Sequence, residues 1–585
     1  TVDGIFTRKS SSSRPRHLTN DDLSNHYTRG VSYKEIFPNK ELGTNDNTTL
    51  PVLNLAFYPN ERGPYNLDAE NVNSDGTLGN PEKRWGGVMR KIEPSDLESA
   101  NYEYIEFWLL DPYLEDETAE GGDLYFNLGE ISEDILKDER KFFENGMPVD
   151  GDMSKVDTTV WGKVPRTQST GYAFDAQNRE LQDVGLNGLS TEEEQTFPTY
   201  ADYLNKLRAK LSGETISKMM DDPFSPFNDP AGDNYHYFRG DDYDAKELDI
   251  LSRYKRYNGT EGNSQESDQR YATAGKSTPD VEDINGDNTL NETEKYFEYK
   301  ISLRPKDLQV GVNNIVDERT PEVTLMNGDK EKVKWYLFKI PIKDYEKRVG
   351  AIRDFKTVRF MRMYMTGFRK STVLRFGTLE LVRGDWRTYT QDLSNPLVPP
   401  KSDGQIVVSS VNIEENGQRQ PVNYVLPPGI SRMFDSSQPQ LLQQNEQALS
   451  MKITDLSPAD ARAVYKSTAY DLRRYKRLQM FAHAEAPIDE SKTLSNGDFS
   501  VFIRLGSDYK NNYYEYEVPL DLTPHSTILY NTNNSADQEK VWPLNNTLNF
   551  KLETLTDLKL ERNKLKRQGQ GNISYQKVYS KNDPD

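Results

Sequence analysis

Residues 296–303 read YFEYKISL, and residues 513–520 read YYEYEVPL. In the first stretch Phe297, Tyr299, Ile301 and Leu303 fall on one face, while Glu298, Lys300 and Ser302 fall on the other. In the second, Tyr514, Tyr516, Val518 and Leu520 face one way and Glu515 and Glu517 the other. Successive strand side chains point to opposite faces, so a period of two predicts half-buried antiparallel strands. Upstream of each lies a second matching pair, GDLYFNLG at 122–129 and GDFSVFIRLG at 497–506. Their two-residue difference in length preserves the parity of the side chains. An aromatic strand precedes both, YIEFWLL at 104–110 and YKRLQMF at 475–481. The order is the same in both copies. The expected fold is mostly β, with two related jelly-roll-like antiparallel β-sandwich domains.

The repeat also locates an insertion. Gly122 and Tyr296 lie 174 positions apart but Gly497 and Tyr513 only 16, so about 158 residues, roughly 131–290, are extra in the first copy. Helical spacing is expected at 131–145 and 200–220, with Thr191, Glu193 and Glu194 as a helix start. The stretch 221–232 is rich in Asp, Asn, Gly and Pro and reads as irregular surface structure. The expected organisation is an N-terminal extended arm at 1–50, a first sandwich at 51–398 with its long α/irregular insertion, and a second sandwich at 399–585. The first copy continues through strands at 333–340, 357–368 and 373–383. The second reaches 541–543 and 547–552 and then the basic run KLERNKLKR at 559–567. Nothing after it matches the Met-rich strand, so the second domain reads as truncated at its C-terminal end, with a sheet edge left for another element to close.

Composition narrows the chemistry. The 585 residues include 93 acidic and 73 basic side chains, a net charge of −20, with 35% hydrophobic residues, 34 Tyr and no Cys. Without Cys there are no thiol nucleophiles, disulfides or thiolate metal sites. An acidic chain is a poor match for nucleic acid, whose phosphates need clustered Lys and Arg. The five His form neither HExxH nor a close pair, no GxSxG elbow occurs, and no apolar run is long enough for a membrane helix. An enzyme is not expected. The chain opens at Thr1 without a signal-peptide pattern, which suits a soluble protein or a soluble portion of a longer one. Gly275-Lys276-Ser277 looks like the end of a phosphate loop, but position 270, where a Gly is required, is Arg, and a chance loop is expected. Tyr235, Tyr237 and Phe238 around His236 either stack on a sugar or pack their own loop. Met361, Met363 and Met365 read as sandwich core. Arg353, Arg359, Arg362, Arg369, Arg375, Arg383 and Arg387 read as partners for internal Asp and Glu.

The sharpest local pattern is DINGDNTLNETE at 283–294. Asp283, Asn285, Asp287, Thr289 and Asn291 occupy positions 1, 3, 5, 7 and 9, and Glu294 falls at 12. That is the ligand spacing of an EF-hand-type loop, whose hard oxygen donors suit Ca2+. Asn288 stands where such loops usually have Gly, and Asn tolerates the left-handed conformation needed there. A strand follows where a helix would usually begin. The alternative is an Asx- and Gly-rich turn without metal. If an ion binds, its role is structural, tying the insertion back to the sheet.

Several long stretches resemble the giant SprA (Sov) family of Bacteroidetes, the outer-membrane translocon of the type IX secretion system linked to gliding motility. They are LNLAFYPNERGPYNL at 53–67, RWGGVMR at 84–90, NYEYIEFWLLDPY at 101–113, STPDVEDINGDNTLNETEKYFEY at 277–299, residues 374–386, NIEENGQRQPVNYVLPPGI at 412–430, and residues 498–520. The resemblance implies a non-enzymatic fragment of a large export channel. It implies a location at the cell outer membrane, with this soluble portion exposed at the cell surface as an extracellular cap, the periplasmic side being the alternative. The implied partners are the remainder of the barrel, other secretion components and secreted cargo, with no nucleic acid and no membrane span in this segment. A carbohydrate-binding jelly-roll module of a cell-surface protein is the competing expectation, because jelly rolls recur among lectins.

Overall fold

The computed structural model describes residues 17–43, 46–167, 173–175, 177–238, 241–255, 259–262, 279–393, 404–434, 442–468, 470–487, 494–508 and 512–570. The chain divides into two compact units, residues 1–35 with 49–383, and residues 36–48 with 384–585.

Ten strands of the first unit build two five-stranded antiparallel sheets. In chain order they are β1 (Leu53–Phe57), β2 (Trp85–Lys91), β3 (Tyr102–Leu110), β4 (Asp123–Glu130), β5 (Lys295–Ser302), β6 (Ile315–Arg319), β7 (Trp335–Pro341), β8 (Lys347–Val349), β9 (Phe360–Thr366) and β10 (Thr372–Arg383). One sheet has the order β1-β10-β3-β7-β6 and the other β8-β5-β4-β9-β2. Leaving out the edge strands β6 and β8, the chain passes between sheets in the pattern of a jelly roll. The alternation read from the sequence decides which side chains meet between the sheets. Ile105, Phe107 and Leu109 of β3, Leu124, Phe126 and Leu128 of β4, Phe297, Tyr299 and Ile301 of β5, and Met361, Met363 and Met365 of β9 join one buried cluster. Phe107 stacks on Phe338 with ring centroids 4.7 Å apart. The Met row is core, as its spacing indicates.

The outer face of β3 is buried as well, which explains why this strand reads as a nearly continuous apolar run. Part of the cover on that side of the sheet comes from residues 17–35. The buried guanidinium of Arg375 donates to the carbonyls of His26 and Arg29, each at 2.7 Å, and to Asn54 Oδ1 at 2.9 Å. Arg29 pairs with Glu35, both side chains buried. The internal pairing expected for the Arg-rich stretch holds for Arg362, whose two Nη atoms bind Glu294, and for Arg359 beside Asp287. Arg375 instead holds backbone carbonyls.

In the second unit the repeat is visible down to its register. Its strands include β11 (Gln405–Asn412), β12 (Gln447–Thr454), β13 (Arg477–Met480), β14 (Ser500–Gly506), β15 (Tyr513–Pro519) and β16 (Leu548–Lys551). In β4–β5, Gly129 pairs with Tyr296 and Phe126 with Tyr299. In β14–β15, Gly506 pairs with Tyr513 and Ile503 with Tyr516. Each Gly lets the opposite Tyr approach. A Cβ would stand 2.6 Å from the Tyr296 Cα in one copy and 2.6 Å from the Tyr513 Cα in the other. The second jelly-roll pairing recurs too: Phe107 pairs with Phe338 and Glu106 with Lys339, while Leu478 pairs with Phe550 and Arg477 with Lys551. The copies differ in cover. Leu124, Phe126 and Leu128 are fully buried, whereas Val501, Ile503 and Leu505 are only half-buried. Among the described residues the ladders of the second unit are two-stranded, so β13 and β14 lack the outer neighbours that β10 and β9 give β3 and β4.

The insertion leaves the sheet at Glu130 and returns at Lys295, which are themselves paired. Its helices include α1 (Thr191–Glu194), α2 (Pro198–Lys210) and α3 (Gly213–Met220). Ser190 caps α1 in a capping box with Glu193, one residue before the expected start. Helical spacing at 200–220 becomes α2 and α3, broken at Leu211 and restarted by Ser212, whose hydroxyl caps the Thr215 amide. The helix expected at 131–145 does not form. There the buried Glu282 carboxylate accepts the amides of Ile135, Leu136 and Phe142, and Lys137 and Glu139 take positive φ. A side chain that captures amides in this way competes with the helical ladder. The polar run at 559–567 is the latter half of a helix, α4 (Leu552–Arg567).

Candidate metal centre

Three acid side chains of the insertion converge: Glu194, Asp233 and Glu261, with a carboxylate oxygen from each lying within 4.8 Å of the others. Glu194 is set by the end of α1 and is fully buried. Its Oε1 accepts from Asn187 Nδ2 at 2.5 Å and its Oε2 from the Ala231 amide at 3.0 Å. Asp233 ends the turn Asp229-Pro-Ala-Gly-Asp233, in which the Asp229 carboxylate accepts the amides of Gly232, Asp233 and Asn234. Glu261 is brought alongside by backbone bonding, the Asp233 carbonyl accepting the amides of Thr260 at 2.7 Å and Glu261 at 3.0 Å. Its Oε1 accepts from the Thr191 amide at 3.1 Å.

A strut from outside the insertion fixes the floor. Tyr65 donates its hydroxyl to Asp233 Oδ2 at 2.8 Å, accepts the Leu186 amide, and bonds its own amide to the Ala231 carbonyl. Arg62 donates to the carbonyls of Pro230 and Asp229 at 2.6 and 2.5 Å. Gly185, at φ +73, presses its backbone against Asp233, and any Cβ there would collide with Oδ2.

The electrostatics are those of crowded acids with a single nearby counter-charge among the described residues, Arg62, which acts on Asp233. Burial, and then the neighbouring carboxylates, raise Asp233 and Glu194 well above the usual range. Burial followed by Asp233 pushes Glu261 up to about 8. Asp233 Oδ1 and Glu261 Oε2 are buried atoms with no hydrogen-bond partner among the described residues. Oxygen donors in this number suit a hard cation.

The 283–294 loop is arranged differently. Asp283 Oδ1 accepts the amides of Gly286 and Asp287, and Oδ2 accepts the Asn288 amide and pairs with Lys141 at 3.0 Å. Asn288 has φ +66, the left-handed conformation that position requires. Asn285 Oδ1 accepts the Asp287 amide, and Asp287 Oδ1 accepts the amide and hydroxyl of Thr289. Asn291 donates to the Ile131 carbonyl at 2.6 Å. Glu294 is turned to Arg362 of β9 and the Ser132 amide. The loop thus joins the two ends of the insertion through protein partners.

Gly275-Lys276-Ser277 lies outside the described residues. His236 stacks on Tyr243 at 4.0 Å and Phe238 on Tyr254 at 4.9 Å, so these rings pack against their own surroundings. The converging carboxylates escaped sequence reasoning because they are scattered over 67 positions with no fixed spacing. The one available signal was the tight Asp-Pro-Ala-Gly-Asp turn at 229–233.

These features define a class: an antiparallel β-sandwich protein of jelly-roll type, with a helical insertion folded around buried carboxylates. The chain belongs to the SprA_N family, motility related/secretion protein, which matches residues 202–585. The family is one of secretion and motility proteins and not a family of enzymes. No curated protein gives a significant match to the chain. Among the described residues no helix is long and apolar enough to cross a membrane.

Proposed function

We propose that this chain is a soluble, non-catalytic portion of a giant outer-membrane protein-export channel of the type IX secretion system, forming part of its extracellular cap and supporting cargo secretion and gliding motility. The observation that carries this reading is the family match over 202–585. Two jelly-roll-related units rich in acidic side chains suit the role physically. A net charge of −20 keeps an exposed surface hydrated and resists adhesion to passing polypeptides. The partners are the rest of the barrel, other secretion components and the cargo. Carbohydrate binding is less well supported, since His236 packs on Tyr243 and Phe238 on Tyr254.

The test is genetic and topological. Replacing the codons for 51–570 in the full-length gene with a short linker should abolish cargo release and gliding while the remaining channel still reaches the outer membrane. Secretion at the parental rate overturns the proposal. For the side of the membrane, Val160→Cys and Ile528→Cys are suitable because both positions are well exposed and the segment has no Cys of its own. A membrane-impermeant maleimide should label both on intact cells. Labelling only after permeabilisation overturns the cap placement in favour of the periplasm.

A further inference from the structure

We propose that the insertion binds a calcium ion between Glu194, Asp233 and Glu261, with Thr260 Oγ1 as a further oxygen ligand, and that the ion locks the insertion's internal turns together. The site is independent of the 283–294 loop and of the secretion role.

Three observations converge. First, ligands held 2.3–2.6 Å from one calcium ion stand at most about 5 Å apart, and one oxygen from each of the three carboxylates lies within 4.8 Å of the others. Second, acceptors are left over in the same cluster. Asp233 is only 1% exposed, its Oδ2 is bound by Tyr65, and its Oδ1 is left over. Glu261 likewise has Oε1 on the Thr191 amide and Oε2 left over. Thr260 Oγ1 is a buried oxygen beside the Tyr65 hydroxyl. It stands 3.4 Å from the Cβ position of Gly185, the same position that would strike Asp233 Oδ2. Third, the group is only partly neutralised, by the charge of Arg62 beside Asp233. None of the three carboxylates has an ion pair among the described residues, and Arg62, the strut beside them, is bonded to two carbonyls.

Protonation is the alternative way to relieve the crowding, since a neutral carboxylic acid has an O–H to donate. A cation converts the same leftover oxygens into ligands and offsets the charge that burial otherwise penalises. Calcium fits better than magnesium, because it accepts six to eight oxygens in irregular geometry. Magnesium demands near-octahedral ligands and tends to keep its waters. The rigid floor of Tyr65, Asn187 and Gly185 holds the first ligands in place, as supporting residues do around metal sites.

The experiment uses the whole 585-residue chain at pH 7.5, in 1 mM calcium chloride, 1 mM magnesium chloride or chelator. Hydrogen exchange is read peptide by peptide. Calcium should slow exchange at least tenfold in 186–194 and 229–235. Asp233→Asn should remove that effect, and Asp283→Ala should leave it intact. Glu261→Gln, at a partly exposed position, serves as the second variant in case Asp233→Asn perturbs folding, and should weaken calcium binding at least tenfold by calorimetry. No calcium effect in these peptides, or an undiminished effect in both Asp233→Asn and Glu261→Gln, overturns the proposal. Equal protection by magnesium overturns the assignment to calcium.

Discussion

Leu128 and Leu505 test the repeat and its unequal cover with one substitution. They occupy equivalent places, Leu128 opposite Phe297 and Leu505 opposite Tyr514. Leu128 is fully buried between two five-stranded sheets. Leu505 is half-buried on a two-stranded ladder. Leu→Ala in a closed core removes the transfer free energy of the side chain and leaves a cavity, a loss of about 3–5 kcal/mol. At Leu505 part of the side chain is already in water, and a two-stranded ladder leaves a less closed cavity. The expected loss is then about 1–2 kcal/mol, roughly two-thirds of the 1.5–3 kcal/mol for full burial. A chain of this size does not unfold in two states, so each unit needs its own reporter. Hydrogen exchange in rising denaturant, read on peptides spanning 123–130 and 500–506, provides one. A loss at Leu128 about two to three times that at Leu505 is the expected result. Equal losses would show that β14 is covered in solution as fully as β4, and would refute the reasoning from unequal burial.

Other consequences are independent of that comparison. Glu144 is fully buried, and its carboxyl is pushed up to about 10 by burial, with Asp183 and Asp280 adding to it. A carboxyl raised above its unfolded value of 4.5 stabilises fully below that value and loses the contribution as pH rises toward 10. The first unit should therefore weaken between pH 6 and 9, by up to about 1.4 kcal/mol per pH unit from this group. Glu144→Gln should flatten the profile in thermal melts, and an unchanged slope would exclude Glu144 as its source. Arg375→Met leaves the carbonyls of His26 and Arg29 unpaired, at about 1–3 kcal/mol for each. Limited proteolysis should then cut within 17–35 faster than in the parent, and an unchanged rate would show that other contacts hold this segment. Calcium at the 283–294 loop remains a proposal, and it predicts that Asp283→Ala removes a calcium-dependent rise in protection of peptides covering 131–136 and 284–294. A loss of equal size in calcium and in chelator assigns that loop to its own amide bonds and to Lys141.

How much was legible in the residues differs between the sheets and the site. Tyr299 and Tyr516 were placed inward by alternation alone, because a strand's two faces are fixed by its neighbours in sequence. The pairing of Gly129 with Tyr296, and of Gly506 with Tyr513, was supplied by the fold, which places the repeated segments in the same register. Ile131–Asn145 misled because its apolar spacing suited a helix, while the group that captured its amides, Glu282, lies about 140 positions away. Thr191, Glu193 and Glu194 announced a helix start but gave no hint that Glu194 turns inward to meet Asp233.

The sequence by itself determined the strands, their inward faces, the duplication and the position of the insertion, all of which rest on contacts one or two residues apart or on recurrence of a pattern. Only the tertiary structure decided which strands close the sandwich, why the second copy's inner face stays half-covered, and which of 93 acidic residues meet. Glu194, Asp233 and Glu261 acquire their shared environment from Tyr65, Asn187, Gly185 and Ala231, set in place by loops that no local periodicity governs. A carboxylate's chemistry depends on what burial takes from it and what neighbours return, and both are properties of the folded chain.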